Sequence, residues 1–310
     1  MGGARTLISE HPDHLLRTER GYGTATKPDD YLDGFGKWLR ENMNKIPALN
    51  CDRLGDLPVG IREAAKDLFE FAFSLLTDLG VRDRHYLAIY EAISYHVCPF
   101  CGLEYFDAPG APREDLDHYL ASSHYPFAAS NLRNLSPMGM KCNERYKLAV
   151  DILRDEHGNR RRSFDPYTIR NLRISLLNSV PFGGGDGQNP AWQIDFVRDS
   201  AECGTWDQVF RLRERMQRDV LDRSFGGWLN EFAIWFVTRK GIADVGDSRL
   251  IDGVREYAED MLMQGFKARE FLRAHVFEML HQYCVRGDRR LLDFIRDLVT
   301  QAVPQPAIAA

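Results

Sequence analysis

Apolar positions recur at three- and four-residue spacing over most of this chain, the periodicity of helices that bury one face. From Asp29 the set Tyr31, Leu32, Phe35, Trp38 and Leu39 predicts a first helix. A second is expected from about Pro58 to Leu79, with Pro58 near its start and Gly80 just past its end. Its apolar positions Ile61, Ala64, Ala65, Leu68, Phe69, Ala72 and Leu76 form one stripe. A third, from Arg82 to Tyr95, leads into a Cys-x-x-Cys turn. ERYKLAVDILRD, just after Asn143, has the same period, with Tyr146, Ala149, Val150 and Leu153 on one side.

The pattern then changes. His157-Gly158-Asn159 is a turn signal flanked by alternating residues, consistent with a hairpin. Two β-like runs follow, IRNLRISLLNSV and WQIDFV, around the Gly-rich loop FGGGDGQNP. Gly183 to Gly187 lack the Gly-Lys-Ser/Thr ending of a phosphate loop, so a flexible connection is the better reading. From Thr205 onward, helices are expected over 206–224, 225–239, 247–263, 267–285 and 288–302. Arg211, Arg213, Arg215, Arg218 and Arg223 are interleaved with Glu214, Asp219 and Asp222, which suggests a solvated, salt-bridged face rather than a nucleic-acid patch.

At 310 residues the chain has room for about two domains. Hydrophobic residues at 44% and charged residues at 27% suit an ordinary soluble globular protein. The net charge of −5 counts against a general nucleic-acid coat, so any contact with nucleic acid must be local. No run of eighteen apolar residues suggests a membrane span, and no secretory signal is recognisable, which makes a cytoplasmic location the expectation. Gly2 and Thr6 match the loose myristoylation pattern, which is short and often accidental. Cysteines 51, 98, 101, 142, 203 and 284 are scattered except for one pair, which fits a metal knuckle in a reducing compartment better than a disulfide framework.

The chemistry is concentrated between Cys98 and Lys147. CPFCG is followed by DLDHYL, then by NLRNLSPMGMKCNERYK. Asp117-His118 precedes Asn134 by fifteen intervening residues, and Asn143 follows after eight more. Phosphodiester hydrolysis needs a base for water, positive charge against the phosphate and a means of stabilising the leaving oxygen. A histidine with its ordinary pKa near 6.5 is a fitting base. Magnesium prefers oxygen ligands, so a carboxylate and an amide oxygen can hold it beside a phosphate. Asp13-His14 has neither spaced asparagines nor a preceding Cys-x-x-Cys, so the dipeptide alone carries no information.

In their order and spacing, CPFCG, DHYL, YP, NLSP and CNERYK resemble the HNH (ββα-metal) endonuclease family, in the variant with a Cys-x-x-Cys zinc knuckle as found in bacterial defence and mobile-element effectors. The resemblance covers about fifty of the 310 residues. It implies that His118 is the general base, Asp117 and Asn143 hold Mg2+ or Mn2+, and Asn134 braces the loop carrying His118 within the catalytic set. DLDH and LRNLSP would be the two strands and the segment from Cys142 the helix. Arg145 and Lys147 are candidate phosphate contacts. Cys98, Cys101 and Cys142 would hold a structural zinc. The family's second knuckle has two cysteines, but Gly139 stands here where one is expected, leaving His96 or His124 as candidates for a fourth ligand. Buried thiols without metal are the alternative.

The expected fold is therefore mostly α with a small ββα-metal module, α+β overall. The expected divisions are a flexible leader at 1–28, a helical domain at 29–96, the nuclease module at 97–155, a mixed then helical domain at 156–303, and a disordered tail at 304–310. DNA is the expected substrate, with a regulatory protein or self-association as a further partner and no membrane. A catalytically silent HNH-like scaffold acting as an interaction protein is the alternative.

Overall fold

The computed structural model describes residues 59–111, 116–167, 173–185, 189–198, 200–241, 245–264 and 267–302. The expected leader with its Gly2/Thr6 pattern, the helix from Asp29 and the tail lie outside the described residues. So do residues 186–188 within the Gly-rich loop. The described residues are mostly helical with two small antiparallel sheets. It divides into two compact units. Among the described residues, the first contains 59–96, 106–161 and 165–167; the second contains 97–105, 162–164 and the segments from 173 onward.

The first unit opens with helices α1 (Val59–Asp78) and α2 (Val81–Ala92). Gly80 joins them at φ 63°, a left-handed conformation that costs glycine little. Strand β1 (Leu116–His118) pairs with β2 (Leu135–Pro137), placing Leu116 opposite Pro137, Asp117 opposite Ser136 and His118 opposite Leu135. Tyr86, Ile89, Phe106, Leu116, Leu132 and Leu135 form the core, with Phe73 and Leu76 against it. Helices before the cysteine turn and strands after it thus share one core.

The helix from Pro58 forms as expected, and only part of its expected stripe faces inward: Phe69 and Leu76 do, Ile61 and Leu68 do not. Phe69, Phe73 and Leu76 turn inward, while Ile61, Leu68, Phe71, Leu75 and Leu79 are exposed. Helix α1 is apolar on two faces, so composition alone could not select the one that packs.

The second unit begins with strands β3 (Ile174–Ser175) and β4 (Asp195–Phe196), which form the small sheet from the two β-like runs. Helices α3 (Ala201–Phe210) and α4 (Leu212–Arg215) follow. A π-helical turn, Met216–Leu221, then continues into α5 (Asp222–Lys240). The expected single helix over 206–224 is broken at Arg211, whose φ is 52°. Asp207 accounts for the break. Its carboxylate accepts the Arg213 backbone N–H at 2.9 Å and the Arg213 guanidinium at 2.8 Å, capping α4 where a continuous helix would need a helical bond. Helices α6 (Asp247–Met263), α7 (Phe271–Val285) and α8 (Arg289–Gln301) complete the unit.

The arginine face is mixed. Arg218 pairs with Glu214 and Asp219, each at 2.7 Å, as a solvated face would. Arg215 instead is only 1% exposed and lies 3.6 Å from Glu104. Charge interleaving alone does not reveal that one arginine of the run points into the core.

One close packing point in this unit gives a sharp expectation. A Cβ built on Gly253 of α6 would stand 2.5 Å from Cε2 and 2.6 Å from Cδ2 of the buried Phe236 ring. Alanine's helix propensity favours Gly253→Ala by roughly 1 kcal/mol. Moving a core ring typically costs about 1–3 kcal/mol. The steric cost wins, and chemical denaturation should find this variant less stable than wild type; an unchanged or raised midpoint would contradict it.

Candidate metal and phosphodiester site

The cysteine turn is built by short-range backbone bonding. Val97 and Tyr105 form an isolated antiparallel bridge. The Cys98 N–H donates to Glu104 O at 2.8 Å, and the Gly102 N–H donates to Cys98 O at 2.9 Å. Gly102 has φ 69°, which closes the turn without a Cβ penalty. The Leu103 N–H then reaches Cys101 Sγ at 3.3 Å.

The turn is also anchored by side chains and backbone. Phe100 packs against Trp206 and Phe210, with ring centroids 5.2 and 5.0 Å away. Arg269 donates from its backbone N–H to Gly102 O and from Nε to Leu103 O, both at 3.0 Å.

Cys98, Cys101 and Cys142 form a buried group whose sulfurs all lie within 4.8 Å of one another, and it can hold a metal ion such as zinc. Zinc–sulfur bonds near 2.3 Å put tetrahedral sulfurs roughly 3.8 Å apart, so only a small contraction is needed. The fourth position is not filled as the sequence suggested. His96 Nε2 is bonded to Tyr90 O at 3.0 Å and its ring stacks on Tyr90 at 3.5 Å. His124 Nε2 is bonded to Ala149 O at 3.0 Å. Among the described residues neither histidine belongs to the cysteine group.

His118 stands at the end of β1. Its ring lies 4.4 Å from that of Phe73 in α1, and Nε2 is 2.9 Å from Ala129 O. A carbonyl only accepts, so Nε2 carries the hydrogen and the neutral ring keeps its lone pair on Nδ1. Nδ1 has no hydrogen-bond partner among the described residues. Burial pushes the imidazole below its ordinary pKa, helped by the positive charges of Lys147 and Arg82, against the opposing pull of Ala129 O and Asp117. The surroundings of His118 therefore favour the neutral imidazole.

Asn134 organises the loop around that ring. It ends a short 3₁₀ turn, Leu132–Asn134, and is 5% exposed. Its Oδ1 accepts the Leu120 N–H at 2.7 Å, while Nδ2 donates to Leu120 O at 3.0 Å and Ala128 O at 3.1 Å. Its own carbonyl accepts the Tyr119 N–H at 2.7 Å. These bonds clamp both ends of the excursion that begins after His118 and returns at Ala129, the residue that sets the tautomer. Both amide hydrogens are committed, which makes Asn134 a positioning residue.

Asn143 lies in a π-helical segment, Cys142–Lys147. The expected helix through ERYKLAVDILRD stops after Lys147, where Leu148 takes φ 46° and ψ −129° and its N–H closes a bond to Asn143 O at 3.0 Å. Asn143 and Lys147, four residues apart, share a face of this turn. Lys147 turns inward rather than towards solvent: it is 1% exposed, and Nζ lies 2.7 Å from Asp117 Oδ2. Arg145 is exposed and has no hydrogen-bond or ion-pair partner among the described residues. The two candidate phosphate contacts thus differ: Arg145 is available and Lys147 is buried on the candidate metal ligand.

Sequence reasoning did not find Phe73 and Ala129 as the residues that hold the His118 ring. Neither carries a chemical signal, since one acts by packing and the other by its backbone carbonyl. Among the described residues, no helix is long and apolar enough to cross a membrane. In comparisons with known proteins, the chain matches no family model, no curated protein and no solved structure.

Proposed function

We propose that this protein is a metal-dependent endonuclease of HNH type that hydrolyses phosphodiester bonds in DNA, with His118 as general base. The observation that carries the reading is the state of His118: neutral, fixed in one tautomer by Ala129 O, and held on a loop that Asn134 clamps at both ends. Nδ1 takes a proton from water as its oxygen bonds to phosphorus, and the P–O bond to the opposite oxygen breaks. Asp117 and Asn143 offer the hard oxygen donors that suit Mg2+ or Mn2+, and a bound ion would neutralise charge on the phosphate and the leaving oxygen. Arg145 supplies a surface cation for a neighbouring phosphate.

The cysteine group is assigned a structural zinc, completed by a ligand other than His96 or His124. The helical regions would recognise a partner, a trigger or the nucleic acid, as suits an effector of bacterial defence or a mobile element. With a net charge of −5, the purified protein should be weak or silent on plain duplex DNA without such a partner. Vigorous unspecific digestion by isolated protein at moderate salt would contradict that expectation.

The experiment is cleavage in the presence of magnesium, in chelator, and with Asp117→Ala and Asn143→Ala. Activity should vanish in chelator, and the two ligand variants should lose activity in a way that excess manganese partly restores. Metal-independent cleavage would overturn the reading. One observation favours the second reading, a silent scaffold acting as an interaction protein: Asp117 already carries a buried ammonium partner in Lys147.

A further inference from the structure

We infer that Lys147 is a resident counter-ion of Asp117 that a divalent cation must displace, so that Lys147 sets the cation affinity of the site. The inference rests on the reading of Asp117 as a metal ligand, and goes beyond it by naming what regulates occupancy.

The ammonium is 2.7 Å from Asp117 Oδ2 and has a second acceptor, Leu148 O, at 3.3 Å. The lysine side chain is 1% exposed and the carboxylate 18%. A substrate phosphate cannot reach an ammonium buried to that degree, which removes the surface role for Lys147. Arg145, two residues away, points to solvent instead. The backbone is shaped for the inward position. Leu148 adopts φ 46° and ψ −129°, a conformation non-glycine residues rarely take, and its carbonyl accepts from the lysine.

Such a pair makes sense for a carboxylate that is not permanently metallated. A partly buried carboxylate beside a fully buried ammonium gains from the pairing, and lysine supplies the positive partner when no cation is present. A divalent ion arriving at Asp117 then meets a like charge within hydrogen-bond distance of the same carboxylate. Either the ammonium leaves Oδ2 or the ion binds weakly. Release requires only that the short strained segment after Lys147 relax, while the Asn134 clamp on the other side of the hairpin stays in place.

The test is titration with Mn2+ of protein whose thiol group has first been filled with zinc. Free manganese is followed by its electron paramagnetic resonance signal, and thermal unfolding is recorded with and without the ion. Lys147→Met keeps the length of the side chain and removes its charge. It should bind Mn2+ at least about tenfold more tightly than wild type, since the repulsion between neighbouring cations is gone. Its unfolding temperature should rise more on adding Mn2+ than that of wild type.

The double variant Lys147→Met/Asp117→Asn removes both charges, so it should fold without the ion and show no tight Mn2+ binding. If Lys147→Met binds Mn2+ no better than wild type while Asp117→Asn abolishes binding, Asp117 is a ligand but Lys147 is not its competitor, and the inference fails. If Mn2+ binding is absent from wild type and Lys147→Met alike, the reading of Asp117 as a metal ligand fails with it. If Lys147→Met does not fold even with the ion, Lys147 is structural only, which also overturns the inference.

Discussion

Cys101→Ser is expected to abolish zinc binding at the cysteine group and to lower the unfolding temperature sharply, with a loss of the proposed cleavage activity alongside. Three buried sulfurs within 4.8 Å, none in a disulfide, repel as thiolates and gain little as thiols. A zinc ion converts them into a closed cluster. In small zinc domains that binding is on the order of 10 kcal/mol of folding free energy. The effect here should be smaller, because the turn also rests on Phe100 against Trp206 and Phe210 and on the Arg269 bonds to Gly102 and Leu103. In the proposed reading activity follows the metal, because Cys142 directly precedes Asn143 in one short turn. Elemental analysis should give about one zinc per chain for wild type and far less for the variant, in line with a closed structural site. A metal-free wild type with full activity would contradict the assignment.

Much of this was legible in the sequence because it depends on local chemistry. Helical periodicity marked α1, α2 and most of the helices from α5 onward, where apolar side chains and capping residues act within a few positions. The CPFCG turn announced itself through Gly102, whose left-handed backbone the turn requires, and through the cysteine spacing. Asn134 was expected to brace the His118 loop, and its three side-chain hydrogen bonds do span that loop.

What stayed hidden depends on distant partners. Leu148 has nothing in its side chain that foretells a positive φ, so the helix after Asn143 read as longer than it is. Arg211 interrupts a well-patterned helix because Asp207 caps the next segment. Lys147 and Arg145 look alike as basic residues of one helical turn, and only Asp117, thirty residues earlier in the chain, draws one of them inside. His96 and His124 looked like spare metal ligands, but each is bonded to a backbone carbonyl that no motif includes.

His118→Ala is expected to remove cleavage activity while leaving the fold intact. The imidazole contributes one backbone hydrogen bond and one ring contact to Phe73, a modest share of the packing in its unit. In the proposed chemistry it contributes the proton acceptor, and loss of a general base costs about two to four orders of magnitude in rate. In the proposed chemistry cation binding runs through Asp117 and Asn143, so neither excess magnesium nor manganese should rescue this variant. That distinguishes it from Asp117→Ala and Asn143→Ala. Asn134→Ala should resemble a weakened His118 site, since it frees the loop that carries Ala129.

The most direct measurement is the cleavage rate, on a DNA substrate that wild type measurably cleaves with any partner it needs present, of magnesium-loaded, zinc-replete wild type against His118→Ala, at matched folded concentration verified by circular dichroism. A loss of about a hundredfold or more that no cation restores is the predicted result. Equal rates for the two proteins would contradict the assignment of His118 as general base.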